Sequence, residues 1–318
     1  MFFSVFTLGC KLNQLETEAI TDSFCREGFC LVPWEPGSRE PCSMEPGLML
    51  INTCTVTSMA EQKARRIIRK VLREHPRACL IVTGCYAQMA PGLACEIRDN
   101  TEGAPDLQRL FVIPGEKKDR ILDLPRFLAG VQICSPDTPD ENVNRLPELI
   151  SSWIRLNCQE PLFREQTGGE STGVGVFRFR PKRFSSHSRA FIKIQDGCDR
   201  RCAYCRVSLA RGKNRSLGAG EALEELISLE QCGFAEAVLT GVNISRYCDA
   251  EGSPALQPDS GRTRPAFTAR GLPGLLVFLL NGTERIRLRL SSIEPEPGGL
   301  SDEFIRVLEG FETWREQR

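Results

Sequence analysis

The chain has 318 residues, 41% hydrophobic and 26% charged, and its 41 basic and 41 acidic side chains cancel to a formal net charge of zero. This is the composition of an ordinary soluble globular protein with room for two domains, and its overall charge neither demands nor excludes a nucleic-acid partner. No run approaches transmembrane length, and the start, Met1 to Leu8, lacks the basic n-region and the long apolar stretch of a signal peptide. The expected setting is a reducing cytoplasm with no membrane attachment, where 15 cysteines serve metal or redox chemistry rather than crosslinks.

Residues 1–133 alternate apolar runs with helical patterns. Phe2 to Leu8 reads as a strand and Glu16 to Arg26 as a helix; Leu48 to Ile51 is a strand and Met59 to Glu74 a helix. Cys79 to Thr83 is a strand with a shorter helical piece after it, and Leu110 to Pro114 a last strand. This βαβ alternation predicts an α/β domain built on a doubly wound parallel sheet. Three strands run into cysteine, at Thr7-Leu8-Gly9-Cys10, Asn52-Thr53-Cys54 and Thr83-Gly84-Cys85. The C-terminal ends of parallel strands share one edge, where ligands bind, so Cys10, Cys54 and Cys85 can form a three-thiolate metal site. Glycines before two of them allow close backbone approach. Separate buried thiols are the alternative, and Cys25, Cys30, Cys79, Cys95, Cys134, Cys158, Cys232 and Cys248 are read that way.

In the helix from Met59, the apolar residues Ala60, Ala64, Ile67, Ile68, Val71 and Leu72 recur at helical spacing, so Lys63, Arg65, Arg66, Arg69, Lys70 and Arg73 are either weak further support for an RNA contact or simply its outer face. Residues 134–188 are rich in Pro, Ser, Gly and charge and read as linker, with one helix near Leu146 to Leu156. Its end, Phe177-Arg178-Phe179-Arg180-Pro181-Lys182-Arg183-Phe184, interleaves aromatics with cations. Such a stretch can stack on exposed RNA bases and meet phosphate, or it can be a solvated basic connection.

Ala190 to Gln195 is a short apolar strand that delivers Asp196-Gly197 and then Cys198-Asp199-Arg200-Arg201-Cys202-Ala203-Tyr204-Cys205. Three thiolates at this spacing can hold three irons of a cubane cluster and leave the fourth iron open for an exchangeable ligand, which points to catalysis. Structural zinc fits poorly, because it needs four ligands and the chain has only His75 and His187, neither placed to pair with the loop. Beyond the loop, Glu236 to Thr240 and Arg285 to Leu290 read as strands and Asp302 to Leu308 as a helix, while Asp249 to Pro273 looks like an insertion.

The cysteine loop resembles the signature of radical S-adenosylmethionine (SAM) enzymes. Together with Cys10, Cys54 and Cys85, it is similar to the methylthiotransferase family: an N-terminal α/β domain (1–133), a linker (134–188) and a radical SAM βα partial barrel (189–318). Arg189-Ala190-Phe191-Ile192-Lys193-Ile194-Gln195-Asp196-Gly197-Cys198, Leu239-Thr240-Gly241-Val242-Asn243-Ile244 and Arg289-Leu290-Ser291-Ser292-Ile293-Glu294-Pro295 carry the likeness in the family's order. Thr7-Leu8-Gly9-Cys10-Lys11-Leu12-Asn13-Gln14-Leu15-Glu16-Thr17-Glu18 resembles the opening of the MtaB type rather than the MiaB or RimO types.

The resemblance implies two [4Fe-4S] clusters, an auxiliary one on Cys10, Cys54 and Cys85 and a SAM-cleaving one on Cys198, Cys202 and Cys205. One SAM would donate a methyl group to sulfur at the auxiliary cluster and a second would supply the 5′-deoxyadenosyl radical. The substrate would be N6-threonylcarbamoyladenosine beside the tRNA anticodon, methylthiolated at adenine C2; isopentenyladenosine, as in the MiaB type, is the alternative. An electron donor such as flavodoxin or ferredoxin is implied as well. Tyr204, at the aromatic position of the loop, and Gly241 with Asn243, at the next strand end, are the SAM-side candidates. Arg200, Arg201, Arg206, Arg211, Lys213 and Arg215 are candidates for meeting the anticodon loop. Gly168-Gly169-Glu170 looks like a SAM-gripping Gly-Gly-Glu but precedes the cysteines, whereas that motif follows them, and is set aside.

The family's barrel normally has six strands and is followed by an RNA-binding TRAM domain. The expectation is therefore a C-terminally truncated chain with an incomplete barrel, no TRAM domain and at most uncoupled SAM cleavage. An inactive iron–sulfur fragment is the remaining alternative.

Overall fold

The computed structural model describes residues 1–36, 44–99, 107–133, 139–158, 175–185, 188–248, 271–291, 293–294, 302 and 304–309. The chain divides into two compact units. The first is Met1–Ser185 with Arg201–Arg211; the second is Ser186–Arg200 with Gly212–Arg318.

The first unit runs β1 (Phe2–Thr7), α1 (Lys11–Arg26), β2 (Cys30–Leu31), β3 (Leu48–Thr53), α2 (Ser58–Glu74), β4 (Cys79–Gly84), α3 (Cys85–Met89), α4 (Leu93–Asp99), β5 (Leu110–Val112), a 3-10 stretch Gly115–Asp123, α5 (Leu124–Gly130) and α6 (Pro139–Asn157). All five strands are parallel, in the order β2-β1-β3-β4-β5. Every residue of β3 and β4 is buried, as in a strand covered on both faces. One face packs on α1, α5 and α6 through Phe3, Ile20, Phe24, Leu128, Leu146, Ile150 and Trp153. The other packs on α2, α3 and α4 through Met49, Ile51, Ile68, Val71, Leu80, Tyr86 and Ile97. The order reverses direction between β1 and β3, which makes the C-terminal ends of those two strands the switch point of the sheet.

Beyond the expected boundary at 134 the chain continues in the first unit. Leu146 and Ile150, both fully buried, and Trp153 at 1% exposure place α6 within the core of the first unit, so the described part of the expected linker is a packed element. Composition hid this. The Pro, Ser and charged residues of the segment lie around an apolar stripe that only packing identifies. Phe177 and Phe179 of the basic stretch are buried too, and Arg178 pairs with Asp119 and Asp123. These two rings belong to the core and are not a stacking platform for bases. Gly168-Gly169-Glu170, His187 and most of the expected insertion lie outside the described residues.

The second unit contains β6 (Ala190–Lys193), β7 (Gln195–Asp196), α8 (Ala219–Gln231), β9 (Glu236–Thr240), α9 (Gly271–Gly282) and β10 (Arg287–Leu290), while α7 (Val207–Arg211) falls in the first unit and β8 (Arg215–Ser216) in the second. Its described strands β10-β9-β6 form a three-stranded parallel sheet, with β7 and β8 a separate antiparallel pair. Helix α9 was not foreseen: its first residues, Gly271 to Pro273, fell at the end of the expected insertion, yet Leu272 to Leu279 are buried throughout. Among the described residues no helix is long and apolar enough to cross a membrane.

The turn into β10 is held by one carboxylate. Glu230 Oε1 accepts backbone N–H groups from Glu284, Arg285 and Ile286 at 3.2, 2.5 and 2.8 Å. Burial pushes this carboxyl up, but the three donors outweigh it and hold it below the usual carboxylate range. A depressed folded-state value contributes stability that is present above the unfolded value and lost as pH falls through the folded one. Glu230→Gln is expected to lower stability at neutral pH by about 1 kcal/mol, after allowing for solvent screening. Urea midpoints should show that deficit shrinking as the solution is acidified below the ordinary carboxylate range.

Candidate metal and cofactor sites

Register brings three strand ends to one level. Thr7 pairs with Asn52 across β1 and β3, and Asn52 and Thr53 pair with Thr83 and Gly84 across β3 and β4. Cys10 is the N-cap of α1, Cys54 follows β3, and Cys85 opens α3. The loops that carry them touch backbone to backbone. Gly84, at φ +100°, has no room for a side chain: a Cβ would strike the Thr53 carbonyl oxygen and lie 2.5 Å from Asn52 Oδ1 and 2.6 Å from Thr53 N. Gly9, at φ +116°, is pressed on Cys54, whose Cβ and Sγ would stand 2.8 and 3.1 Å from an added methyl. Both glycines occupy the left-handed region that other residues avoid.

Side chains complete the junction. The Asn13 amide nitrogen donates to the carbonyls of Leu8 and Thr53 at 2.8 and 2.9 Å, bracketing Gly9-Cys10 on one side and Cys54 on the other. Thr53 Oγ1 donates to the Thr83 carbonyl at 2.5 Å and accepts the Ala87 N–H at 3.3 Å. Cys54 and Cys85 are buried and Cys10 is exposed. Burial pushes the Cys54 thiol up, and Cys85 and Cys10 lie close enough to raise it further. Three thiols within electrostatic reach, on loops that admit no Cβ at two positions, fit a thiophilic iron cluster as a donor set. As they stand, no three Cys, His, Asp or Glu side chains among the described residues are gathered at metal-binding distance.

The residues that follow the cysteines are also anchored. Tyr86 accepts from Arg65 at 2.6 Å and donates to Glu96 at 3.3 Å, and burial pushes its hydroxyl up. Thr55 donates to Glu61 of α2, and Glu61 also takes Arg206, the residue after Cys205. Within the basic face of α2, then, Arg65 has a structural partner, whereas Lys63, Arg66 and Arg73 are exposed.

In the second unit, Gly197 precedes Cys198 at φ +73°, and a Cβ there would collide with the Lys213 carbonyl. Thus Gly9, Gly84 and Gly197, each immediately before a candidate ligand, share the same constraint. Cys198 N–H donates to Gly212 O at 3.0 Å, and Asp199 accepts the Asn214 N–H at 3.1 Å. Beneath this turn lies Gln195, which the sequence reading did not single out. Its amide nitrogen donates to Gly197 O at 2.7 Å and Asn214 Oδ1 at 2.6 Å, while its oxygen accepts the Asn243 N–H at 2.8 Å. Gly241 is held against the same side chain, 2.7 Å from its oxygen for an added Cβ. A fully buried Gln at the end of an otherwise apolar strand was the signal that could have found it.

A cavity of about 230 Å³ opens beside this hub, lined by Gln195, Cys198, Arg200, Asn214, Asn243 and Arg246 among others. Asn243 therefore lies on the cavity wall, while Gly241 rests on Gln195 and is not among the lining residues. Tyr204 is 87% exposed and Cys202 and Cys205 are half-buried, with Cys205 N–H on Cys202 O at 3.0 Å. Of the loop cations, Arg200 pairs with Glu294 and Arg206 with Glu61 while staying partly exposed, and Arg211 pairs with Glu16 in a buried position that leaves it little surface for RNA. Arg201 and Lys213 are exposed.

Residues 3–102 match the uncharacterized protein family UPF0004. The chain is 35% identical over 331 aligned residues to the threonylcarbamoyladenosine tRNA methylthiotransferase MtaB of Treponema pallidum, covering 95% of this chain and 61% of that protein. It is 30% identical to the tRNA-2-methylthio-N(6)-dimethylallyladenosine synthase of Prosthecochloris aestuarii, covering 78% of this chain and 46% of that one. A solved structure of the radical SAM methyltransferase TsrM from Kitasatospora setae overlaps with a TM-score of 0.46 at 14% identity, over 97% of this chain and 57% of that chain, too slight a likeness to bear on function. The resemblance to MtaB-type methylthiotransferases read from the motifs thus extends over nearly the whole chain, which spans about half to three-fifths of the length of these curated relatives.

Gly84→Ala is expected to destabilise the chain by about 3 kcal/mol or more, because the methyl meets backbone and the left-handed φ is unavailable to alanine without strain. Gly92→Ala, where an added Cβ meets nothing within 4 Å, should stay within about 0.5 kcal/mol of the parent. Denaturant titration of the two variants side by side checks this.

Proposed function

We propose that the chain is a radical SAM enzyme of the methylthiotransferase family that places a methylthio group on adenine C2 of N6-threonylcarbamoyladenosine, next to the tRNA anticodon. The observation that carries this reading is the 35% identity over 95% of the chain to a protein named for that activity. In it, Cys10, Cys54 and Cys85 hold an auxiliary [4Fe-4S] cluster, and Cys198, Cys202 and Cys205 hold a second one that binds SAM. When bound, the clusters and SAM supply the radical that activates the C–H bond and the sulfur and methyl group that replace its hydrogen.

The chain's own residues have narrower tasks. Gly9 and Gly84 let the loops of Cys10, Cys54 and Cys85 approach one another closely, and Gly197 lets the Cys198 turn lie on the Lys213 carbonyl. Gln195 keeps the Cys198 turn, Asn214 and the Asn243 turn in one rigid block, so a SAM molecule in the adjoining cavity would meet Asn243 and Arg246 from a fixed framework. Tyr204, exposed at the loop, is a candidate for lying against bound SAM or an unstacked base. Arg201 and Lys213 are the loop cations placed at the surface to meet anticodon-loop phosphate. Reduction by a small donor such as flavodoxin or ferredoxin and a cytoplasmic location complete the proposal.

A second reading is supported by the dimethylallyladenosine synthase at 30% identity: the same chemistry on an isopentenyl-type adenosine. The lower identity and shorter coverage of this chain rank it second.

Anaerobically reconstituted chain is expected to carry two cubanes. Replacing Cys198, Cys202 and Cys205 with Ala should halve bound iron and sulfide and abolish 5′-deoxyadenosine formation; replacing Cys10, Cys54 and Cys85 should halve iron while sparing that formation. Iron binding indifferent to either triple replacement would refute the ligand assignment. For the substrate, a strain lacking the gene should lose the 2-methylthio form of threonylcarbamoyladenosine and keep its precursor, scored by mass spectrometry of tRNA nucleosides. Loss of methylthio-isopentenyladenosine instead would move the assignment to the second reading.

A further inference from the structure

The half of the cysteine loop that carries Cys202 and Cys205, residues Arg201–Arg211, groups with the N-terminal unit rather than with the unit that flanks it on both sides. Helix α7 packs on α3, which opens at Cys85, and two polar struts tie the same segment to α1 and α2. Arg211, at the end of α7, donates to Asn13 Oδ1 at 2.7 Å and to both carboxylate oxygens of Glu16, at 3.0 and 3.3 Å. Its side chain is 7% exposed and that of Glu16 2%. Lys118, 4% exposed, closes on Glu16 from another direction and reaches Asn52 Oδ1 at 3.5 Å. Asn13 is the same residue whose amide nitrogen ties Leu8 to Thr53 across the Gly9-Cys10 and Cys54 loops. The second strut is Arg206 on Glu61, whose Oε1 also receives Thr55.

One strut therefore ends beside Cys10 and Cys54, the other beside Cys54, and both begin within six residues of Cys205. Arg211 suits this task chemically. Its fork bridges Asn13 and Glu16, which lie three apart on one face of α1, and its charge persists at any working pH. A lysine ammonium is a compact point charge without that planar fork, so it could meet the same partners without fixing their mutual orientation.

We propose that Arg211, through Glu16 and Asn13, is a positioning residue that sets the separation between the Cys202–Cys205 half of the loop and the Cys10, Cys54 and Cys85 site, with Arg206 and Glu61 as a second strut. The inference rests on the two-cluster reading above, and it adds to that reading a distance-setting device built from polar side chains that ligate nothing. Transfer of a group between two centres is sensitive to their spacing, since an ångström of misplacement can cost about a hundredfold in rate.

The test uses the full chain with Arg211→Gln, Arg211→Lys and, as control, Arg66→Gln on the exposed face of α2. In the metal-free chain, amide hydrogen exchange across 202–211 should rise at least tenfold in Arg211→Gln and by an intermediate factor in Arg211→Lys. Exchange in β3 and β4 should stay at the parental rate, which certifies the fold. In the reconstituted chain, iron content should be unchanged, while pulsed EPR of the doubly reduced protein should show weaker magnetic coupling between the clusters in the order parent, Lys, Gln. Unchanged exchange across 202–211 overturns the strut. Faster exchange with unchanged coupling in a chain bearing two clusters overturns its distance-setting role. A parent chain that binds one cluster or none fails the two-cluster reading itself, and this proposal with it, and is told apart from the other outcomes by the parental iron count alone.

Discussion

The backbone of Gly84 rests on the backbone of Thr53, and a single methyl group between them would have nowhere to go. That contact is possible because β3 and β4 pair in parallel register to their last residues, and because Gly84 adopts a φ that an ordinary residue avoids. The consequences spread outward. With the two loops in contact, Thr53 can donate to the Thr83 carbonyl while receiving the Ala87 N–H, and Asn13 can reach the Thr53 carbonyl from α1. Gly9 then lies on Cys54, and the three thiols of the N-terminal unit come within reach of one another. Wider loops would leave the cysteines at the same edge of the sheet but farther from one another.

Around that contact the first unit buries more polar chemistry than its stability requires. Glu16, Asn13, Asn52 and Lys118 are all buried, at a sheet edge where an apolar residue could have packed. Removing two buried ions from water costs several kcal/mol apiece, and the gain from pairing them roughly offsets this, so such a network adds little net stability. It does specify geometry, because each member has few orientations that satisfy its neighbours. Asn52 shows this: its amide nitrogen donates to the Asn13 carbonyl at 3.0 Å and Thr17 Oγ1 at 3.2 Å, and its oxygen faces Lys118. A rotation of any one of these groups would leave another buried without its bond.

The second unit solves a similar problem with one amide. Gln195 ties the Cys198 turn to Asn214 and to the strand-end turn at Gly241 and Asn243, and the buried pair of Lys193 with Asp196 stiffens the strand that leads into it. Between those anchored flanks the loop itself is half-exposed, with Tyr204 in solvent. A rigid base carrying an accessible loop is the arrangement expected where a small molecule must enter and leave while its framework stays fixed.

Much of this was legible in the residues. Strand period and βαβ alternation placed β1, β3, β4, β9 and β10 to within two or three residues, because buried parallel strands are near-continuous apolar runs bounded by turn residues. The positions of Cys10, Cys54 and Cys85 at strand ends followed from the same pattern, and their glycine neighbours signalled close approach. Inferences from composition were poorer: the segment that holds α6 was read as linker with one helix, the start of α9 fell in the expected insertion, and the Phe177 and Phe179 rings were left open to RNA or to a solvated connection, although each of these segments buries its apolar residues. Composition counts residues without knowing which side of them faces a neighbour. The roles of Gln195, Glu61 and Arg211 were invisible for a related reason, since they reach partners as far as 48, 145 and 198 positions away. Local sequence thus determined which elements form and where their chemistry-bearing residues leave them, because propensity, periodicity and glycine conformation are properties of short segments. Only the tertiary structure decided which cations are already paired and which amide holds the loop, because a hydrogen-bond partner is chosen by proximity in space, and proximity in space is a property of the whole packed chain.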